Sequence, residues 1–151
     1  MVYAHRADIY DADTHMMEPP TWLAEFADAK LRPHLTPFGQ SKPAAIETAE
    51  QALSGFAKRQ QNPDLAAEIE ASFMAMKHKG FQGLGAWDRD ERVRVNDLLG
   101  FNAHIVFPTA AFDQVQGAQD PEIFAGSVQA LNRGLASFCA TDTRMHPAAY
   151  I

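Results

Sequence analysis

The chain has 151 residues, of which 46% are hydrophobic and 21% charged, as in a globular domain with a substantial core. Its formal net charge is −6 and it has no long basic run, so nucleic acid is not an expected partner. A single cysteine, Cys139, excludes an intrachain disulfide and a multi-cysteine zinc site, and is compatible with a reducing compartment. No apolar run approaches roughly 18 residues and the N-terminus has no signal-peptide core. We therefore predict a cytoplasmic protein without a membrane partner.

Polar side chains alternate along the first predicted strand, which covers residues 8–15. Asp11, Asp13 and His15 share one parity, so in an extended strand they point to the same face. Charge on a covered face is costly unless it is paired or binds a cation. Pro19 cannot continue a ladder, so the strand ends before it. The polar residues are thus predicted near the C-terminal end of the strand, where parallel α/β folds bind ligands.

Asp13 and His15 are the candidate metal ligands. Two residues along a strand separate their Cα atoms by roughly 6.5 Å, so both side chains can reach one ion. Asp11 lies deeper on the same predicted face, where pairing within the interior is favoured over ligation. Glu18 is predicted either to contact a ligand or the substrate, or to be solvated. A simpler interpretation makes both aspartates turn or cap residues and His15 a solvated histidine.

A helical insertion of about residues 40–80 follows the first strand. Thr21 is the predicted cap of a short helix before the insertion, with Trp22, Leu23 and Phe26 as its apolar residues. Within the insertion, apolar residues recur at three- and four-residue steps. Asn62 and Pro63 form a cap and first-turn pair that divides it into two helices, and Gly80 is predicted to end the second.

Helix and strand alternate after residue 86. The predicted elements are a helix from Asp88 to Gly100, a strand over residues 102–108, a helix opened by Asp120 with Pro121, and a strand over residues 146–151. Glu91, three positions after Asp88, is typical of a capping box. Cys139 adjoins the apolar stripe of the second helix and is predicted to be buried. This alternation predicts adjacent parallel strands with helices on one side.

Three residues at the second strand have predicted roles. His104 is expected to be a hydrogen-bonded core histidine rather than a ligand. Phe107 and Thr109 lie at the end of the strand and are expected to line the substrate mouth.

Four segments in order span nearly the whole chain and carry a family resemblance. They are Asp11-Ala-Asp13-Thr-His15-Met-Met-Glu18-Pro-Pro, residues 85–109, Leu131-Asn132-Arg133 with Phe138-Cys139, and residues 146–151. Together they resemble the amidohydrolase-related family that contains aminocarboxymuconate-semialdehyde decarboxylase and the resorcylate-type decarboxylases. The resemblance implies a (β/α)8 TIM barrel with one divalent ion at its C-terminal mouth, zinc ahead of manganese. Asp13 and His15 match the carboxylate-x-His form of the family's strand-one motif.

The implied activity is that of a metal-dependent hydrolase or a carbon–carbon lyase (decarboxylase). Its substrate would be a small carboxylated aromatic or dienoic acid, or an amide. The ion would act as a Lewis acid or activate water. The family's remaining ligands, on later strands, have no counterpart in this chain.

A TIM barrel takes about 250 residues. Residues 1–151 are therefore expected to be one incomplete barrel domain, the N-terminal portion of a longer enzyme, with about three parallel strands and no activity alone. The alternative is a non-catalytic α/β binding or interaction module that completes its sheet with a partner chain. Homo-oligomerisation stays open under both interpretations.

Overall fold

The computed structural model describes residues 8–35, 43–75 and 83–151, which form an α/β structure. Its elements are β1 (Tyr10–His15), α1 (Trp22–Phe26), a 3₁₀ turn (Arg32–His34), α2 (Pro43–Gln61), α3 (Pro63–Met74), α4 (Arg89–Leu99), β2 (Ala103–Phe107), α5 (Ala110–Gln116), α6 (Pro121–Cys139) and β3 (Met145–Pro147). The predicted order of strands and long helices is confirmed in this part of the chain. Gly80, the predicted end of the insertion, lies outside the described residues.

The three strands lie side by side in the order β1-β2-β3, and both pairs are parallel. His15 of β1 pairs with Phe107 of β2, and His104 of β2 pairs with Met145 of β3. This confirms the prediction of three adjacent parallel strands. Because the strands are parallel, their C-terminal ends meet at one edge of the sheet, so residues that follow β1 and β2 become neighbours.

Helices cover one face of the sheet. Val106 and Met145 point to this face and are buried, and α6 contacts both β2 and β3. Ile105 and Tyr10 point to the other face and are 40% and 71% exposed. Within the described ranges the second face is therefore open.

β1 contains one extra residue relative to β2. Asp11 pairs with His104. Thr14 pairs with Val106, so three steps along β1 match two steps along β2. Such a β-bulge reverses the alternation of side chains beyond it.

The bulge overturns the predicted parity of the first strand. Asp11 shares the covered face with His104, whereas His15 points to the open face with its partner on β2. The prediction that Asp11 and His15 share a face is therefore wrong. The Asp11 side chain stabilises the bulge, because its Oδ1 accepts a hydrogen bond of 2.9 Å from the N–H of Asp13.

The main core lies between the sheet, α1, α5 and α6. Its fully buried side chains include Met16, Leu23, Val106, Ala111, Val115, Ala130, Leu131 and Leu135. The predicted stripe of α6 and the burial of Cys139 are confirmed. Trp22 of α1 packs where Gly134 of α6 has no side chain, so α1 and α6 approach closely at this point.

Helix ends follow the predicted capping residues with one exception. Asn62 and Asp88 accept backbone N–H bonds at the starts of α3 and α4, and Gly100 ends α4 with a left-handed φ of 78°. Thr21 stands at the N-cap position of α1 as predicted, but its side chain makes no capping hydrogen bond. The predicted capping-box role of Glu91 is wrong, because its carboxylate accepts from the N–H of Gly85 and from Arg59 instead.

The insertion forms the helical hairpin α2–α3, which contributes little to the core. Of its described side chains only Ala49 is buried. Ion pairs join it to α4: Arg59 with Glu91 at 2.7 Å and Glu70 with Arg94 at 2.6 Å. Neither these helices nor the others in the described ranges combine the length and apolar character needed to cross a membrane.

Candidate metal centre

Asp13 and His15 come together at the C-terminal end of β1. The Nε2 atom of His15 lies 3.4 Å from Oδ1 of Asp13. Both side chains are accessible from the open face, with 51% of His15 and 87% of Asp13 exposed. After the end of β1 the chain still runs beside β2, because the N–H of Met16 donates to the carbonyl of Phe107 at 2.9 Å. The two predicted ligands therefore converge on a solvent-accessible point at the edge of the sheet.

The hydrogen-bond partners of His15 assign its tautomer. Nδ1 lies 3.1 Å from the carbonyl oxygen of Pro108 and 3.2 Å from Oγ1 of Thr109. A carbonyl oxygen only accepts, and the Thr109 hydroxyl donates its own proton to the carbonyl of Met16 at 2.7 Å. Nδ1 therefore carries a proton. In the neutral ring Nε2 therefore has a free lone pair, and this atom lies 3.4 Å from Oδ1 of Asp13.

Two acceptors thus face each other across 3.4 Å. The lone pair of Nε2 and the carboxylate oxygen of Asp13 repel unless a proton or a metal cation lies between them. Neutral imidazole nitrogen and carboxylate oxygen are both ligands of zinc, and manganese accepts the same pair. A ligating histidine commonly donates its other N–H to a backbone carbonyl, as Nδ1 of His15 does. The donor set and its orientation therefore fit two ligands of one divalent ion.

Glu18 is buried below this pair and binds the start of α5. Its carboxylate accepts from the N–H groups of Thr109, Ala110 and Ala111 at 2.8, 2.7 and 3.3 Å. Burial raises the pKa of Glu18, and the backbone N–H bonds oppose this effect. The solvated alternative for Glu18 is wrong, since only 2% of the residue is exposed. The carboxylate links the segment after β1 to the segment after β2.

Arg92 of α4 is a further buried anchor. It donates to the carbonyl of Gly85 at 2.5 Å and to the carbonyl of His15 at 2.8 Å, and its guanidinium lies over the ring of Phe138. Burial lowers its pKa to about 10, with the nearby Cys139 and Asp11 acting in the opposite direction. Arg92 is therefore still a cation at neutral pH. It fixes the backbone, not the ring, of His15.

The other predicted residues divide between the two faces. The Phe107 ring stacks on the His15 ring with centroids 5.7 Å apart, so Phe107 lies on the open face beside the pair. Asp11 and His104 lie on the covered face. His104 is buried as predicted, but neither ring nitrogen has a hydrogen-bond partner among the described residues, so the predicted hydrogen bond is wrong.

A third ligand does not join the pair within the part of the chain described: no cluster of three or more His, Cys, Asp or Glu side chains suited to a metal ion occurs there. His34 and His146 are exposed.

Two side-chain or helix features of the site, and one backbone acceptor, were not predicted from the sequence. One is α5, whose short length and small apolar surface give a weak periodic signal, although Thr109 at its start is a typical N-cap residue. The other is Arg92, which is an ordinary charged residue of an amphipathic helix until its neighbours are known. The Pro108 carbonyl is a backbone acceptor and has no sequence signal at all.

In the described ranges the fold is α/β with a three-stranded parallel sheet, an architecture compatible with part of a TIM barrel. Comparisons with models of protein families, with curated proteins and with solved structures found no match. The proposed function therefore rests on the geometry and chemistry of the site.

Proposed function

We propose that the chain is part of a metal-dependent enzyme whose divalent ion is bound by Asp13 and His15. The enzyme would be a hydrolase or a carbon–carbon lyase that acts on a small carboxylated or amide substrate. The proposal includes the finer architecture, in which the parallel sheet is a segment of a (β/α)8 barrel and the open face lines its interior. Additional strands would supply the remaining ligands.

The observation that carries the proposal is the close approach of the His15 ring to the Asp13 carboxylate. Nε2 of His15 and Oδ1 of Asp13 are 3.4 Å apart, and the proton of the ring is held on the opposite nitrogen. A merely solvated histidine does not need its Nδ1–H bound to two acceptors. The location supports the same conclusion, because the pair lies at the carboxyl ends of parallel strands, where α/β enzymes bind ligands.

Each residue of this edge has a defined part in the proposed enzyme. Asp13 and His15 would hold the ion, which when bound supplies Lewis acidity toward a substrate oxygen or water. Phe107, stacked on His15, presents an apolar ring to the same space and would contact an aromatic or dienoic substrate. Arg92 and Glu18 keep the backbone of β1 and of the following loop in place.

A non-catalytic module is the second candidate function, favoured by a different observation. Tyr10 and Ile105 expose apolar surface on the open face of the sheet, as expected for a surface that a partner covers. In such a module the Asp13–His15 pair would be solvated and would have no preference for a divalent ion. Metal binding therefore separates the two candidates.

The test is a titration of the ¹⁵N-labelled protein with Zn²⁺, and with Mn²⁺ as a paramagnetic probe. We expect selective broadening by Mn²⁺ of amide signals around residues 13–15 and 107–109. Asp13→Ala and His15→Ala, made separately, should each weaken binding at this edge at least about tenfold, because two ligands alone hold an ion weakly and neither is dispensable.

His34→Ala and Asp64→Ala are the matched controls, since both residues are exposed and distant in sequence from the pair. They should leave the broadening unchanged. Equal broadening in wild type, Asp13→Ala and His15→Ala would exclude the proposed ligands. Hydrolase and lyase are distinguished in a polypeptide that contains the remaining strands, by amide cleavage against release of carbon dioxide.

A further inference from the structure

The loop that follows β2 binds the imidazole ring of His15 through hydrogen bonds. Residues 108 and 109 supply both acceptors of Nδ1, one from the Pro108 carbonyl and one from the Thr109 hydroxyl. Neither acceptor belongs to β1. The orientation of the His15 ring therefore depends on how firmly this loop is held against the segment after β1.

Three contacts hold the loop. The Thr109 hydroxyl donates to the carbonyl of Met16 at 2.7 Å. The N–H of Thr109 and the N–H of Ala110 donate to the two carboxylate oxygens of Glu18 at 2.8 and 2.7 Å. Because both oxygens are used, the carboxylate fixes the peptide planes on either side of Thr109. The hydroxyl of this residue is thereby directed between Met16 and His15.

Burial makes this arrangement specific. Glu18 and Met16 are almost completely buried, and Ala110 and Ala111 belong to the same buried region. A buried carboxylate without these donors would be strongly disfavoured, so the loop and Glu18 stabilise one another.

From these contacts we infer that Glu18 and Thr109 are positioning residues, which keep His15 in the Nδ1–H form with Nε2 open toward Asp13. Glu18 acts through the loop, and Thr109 acts directly on the ring. The functional meaning of this inference rests on the proposed function, because a ring with an unprotonated Nε2 is the form that binds a metal ion through that atom. The form of the ring itself can be measured without any metal.

The experiment uses the metal-free protein with ¹⁵N-labelled histidine, at a pH where the ring is neutral. Long-range ¹⁵N–¹H correlation spectra report which ring nitrogen carries the proton, and His15→Gln identifies the signals of His15. In wild type we expect a protonated Nδ1 and an unprotonated Nε2. Thr109→Val, which removes the hydroxyl at similar volume, and Glu18→Gln, which removes the anion, should both shift the population toward protonated Nε2.

Two further variants make the result specific. Thr109→Ser retains the hydroxyl and should keep the wild-type form. Thr141→Val is the matched control. The Thr141 hydroxyl also donates to a backbone carbonyl, but that carbonyl belongs to Phe138 and not to the segments that contact the His15 ring. This variant should leave the His15 signals unchanged. If Glu18→Gln fails to fold, the difference between Thr109→Val and Thr109→Ser decides the question.

Zn²⁺ affinity is the second readout. Loss of a group that orients a ligand typically costs 10–100-fold, and we expect about tenfold for Thr109→Val and for Glu18→Gln, with Thr109→Ser near wild type. A protonated Nε2 in wild type, or an unchanged tautomer in both variants, overturns the inference even if zinc binds. If wild type keeps Nδ1–H and the variants change it but no zinc binds, the positioning roles stand and the proposed metal function fails.

Discussion

His104 shows how one buried residue couples folding to pH. The residue is 1% exposed, and its ring contacts the ring of Phe101. Neither ring nitrogen has a hydrogen-bond partner within the described ranges. Burial is the main cause that lowers its pKa to about 4, and Arg92 and Arg144 act in the same direction. Asp11 and Asp142 oppose the shift. The folded protein therefore accommodates only the neutral imidazole near neutral pH.

The first prediction is a loss of stability on mild acidification. Between the ordinary pKa of 6.5 and the folded value of about 4, the unfolded state binds the His104 proton more tightly, so stability falls as pH decreases through this window. The expected loss relative to pH 8 is about 2 kcal/mol at pH 5 and about 3 kcal/mol at pH 4. Urea unfolding at pH 8, 5 and 4 measures the free energy of unfolding.

His104→Leu is the control for that prediction, because it keeps an apolar side chain of similar size without a titrating group. This variant should lose most of the pH dependence between 8 and 4. Asp142, whose pKa is lowered to about 2 chiefly by its hydrogen bond with Arg144, stabilises the folded state above its ordinary pKa of 3.8 and loses this contribution mainly as pH falls from about 4 toward 2. Identical slopes for wild type and variant would contradict the assignment to His104.

At the scale of single elements, the bulge of β1 determines which side chains reach the open face. It reverses the parity between Asp11 and Thr14, so that Asp11 contributes to the covered side while His15 is presented at the edge. The hydrogen bond from the N–H of Asp13 to the Asp11 carboxylate stabilises this local conformation. The conformation of β1 therefore depends on the Asp11 side chain as well as on its pairing register with β2.

The second prediction tests that side chain. Asp11→Ala removes the acceptor of the Asp13 N–H and should destabilise the protein by about 1 kcal/mol, the usual range for one hydrogen bond. Asp11→Asn keeps an acceptor oxygen at the same place and should lose less. Equilibrium unfolding measures both, and hydrogen exchange at the Asp13 amide should be faster in Asp11→Ala. Equal effects of the two substitutions would show that the bulge does not depend on this bond.

The contact between α1 and α6 depends on a missing side chain. A Cβ atom at Gly134 would lie 2.5 Å from Cζ2 of Trp22 and 2.9 Å from Cδ2 of Phe26. Both rings belong to the packed region around the core, and they contact each other with centroids 5.0 Å apart. An added methyl group at Gly134 would therefore collide with two packed aromatic rings.

The third prediction is that Gly134→Ala destabilises the protein by about 1–3 kcal/mol, as overpacking of a core does. This outcome opposes helix propensity, which favours alanine over glycine by up to about 1 kcal/mol. Gly55→Ala in α2 is the comparison, since its Cβ would approach a single side-chain atom, Nη1 of Arg59, at 3.1 Å. Thermal unfolding should show a lower midpoint for Gly134→Ala and an unchanged or higher one for Gly55→Ala.

At the scale of the whole molecule, polar contacts attach the α2–α3 hairpin to the rest. Glu91 accepts from Arg59 at 2.7 Å and from the N–H of Gly85 at 2.9 Å. The Arg59 and Glu91 side chains are only 19% and 12% exposed, whereas Arg94, in the second pair, is 54% exposed. Water screens the second pair more strongly, so the first pair contributes more to attachment.

The fourth prediction is that Glu91→Gln releases the hairpin. Weakening two hydrogen bonds of a shielded carboxylate should cost about 1.5–3 kcal/mol, and amide protection in α2 should fall more than in α6. Glu70→Gln, which affects the exposed pair, should cost at most about 1 kcal/mol. Hydrogen exchange resolved by residue measures both. Uniform loss of protection in α2 and α6 would indicate that the hairpin unfolds only with the core.

Local chemistry by itself determined much of this protein. The caps at Asn62, Asp88 and Gly100, the apolar stripe of α6 and the parallel order of the strands were all predicted, because they depend on near neighbours and on hydrophobic periodicity. The proximity of Asp13 and His15 was also expected, since it follows from their spacing. Their role as metal ligands stays a prediction.

Only the tertiary structure decided what depends on contacts between distant segments. The bulge is a property of the pairing between β1 and β2, and no pattern within β1 alone reveals it. Glu18, three residues past His15, meets N–H groups that lie more than 90 positions later in the sequence, so its burial depends on where α5 begins. The tautomer of His15 was equally hidden, because its partners belong to the loop after β2 and one of them is a backbone carbonyl. Long-range hydrogen bonds are chosen by the fold as a whole, and residue types alone do not specify them.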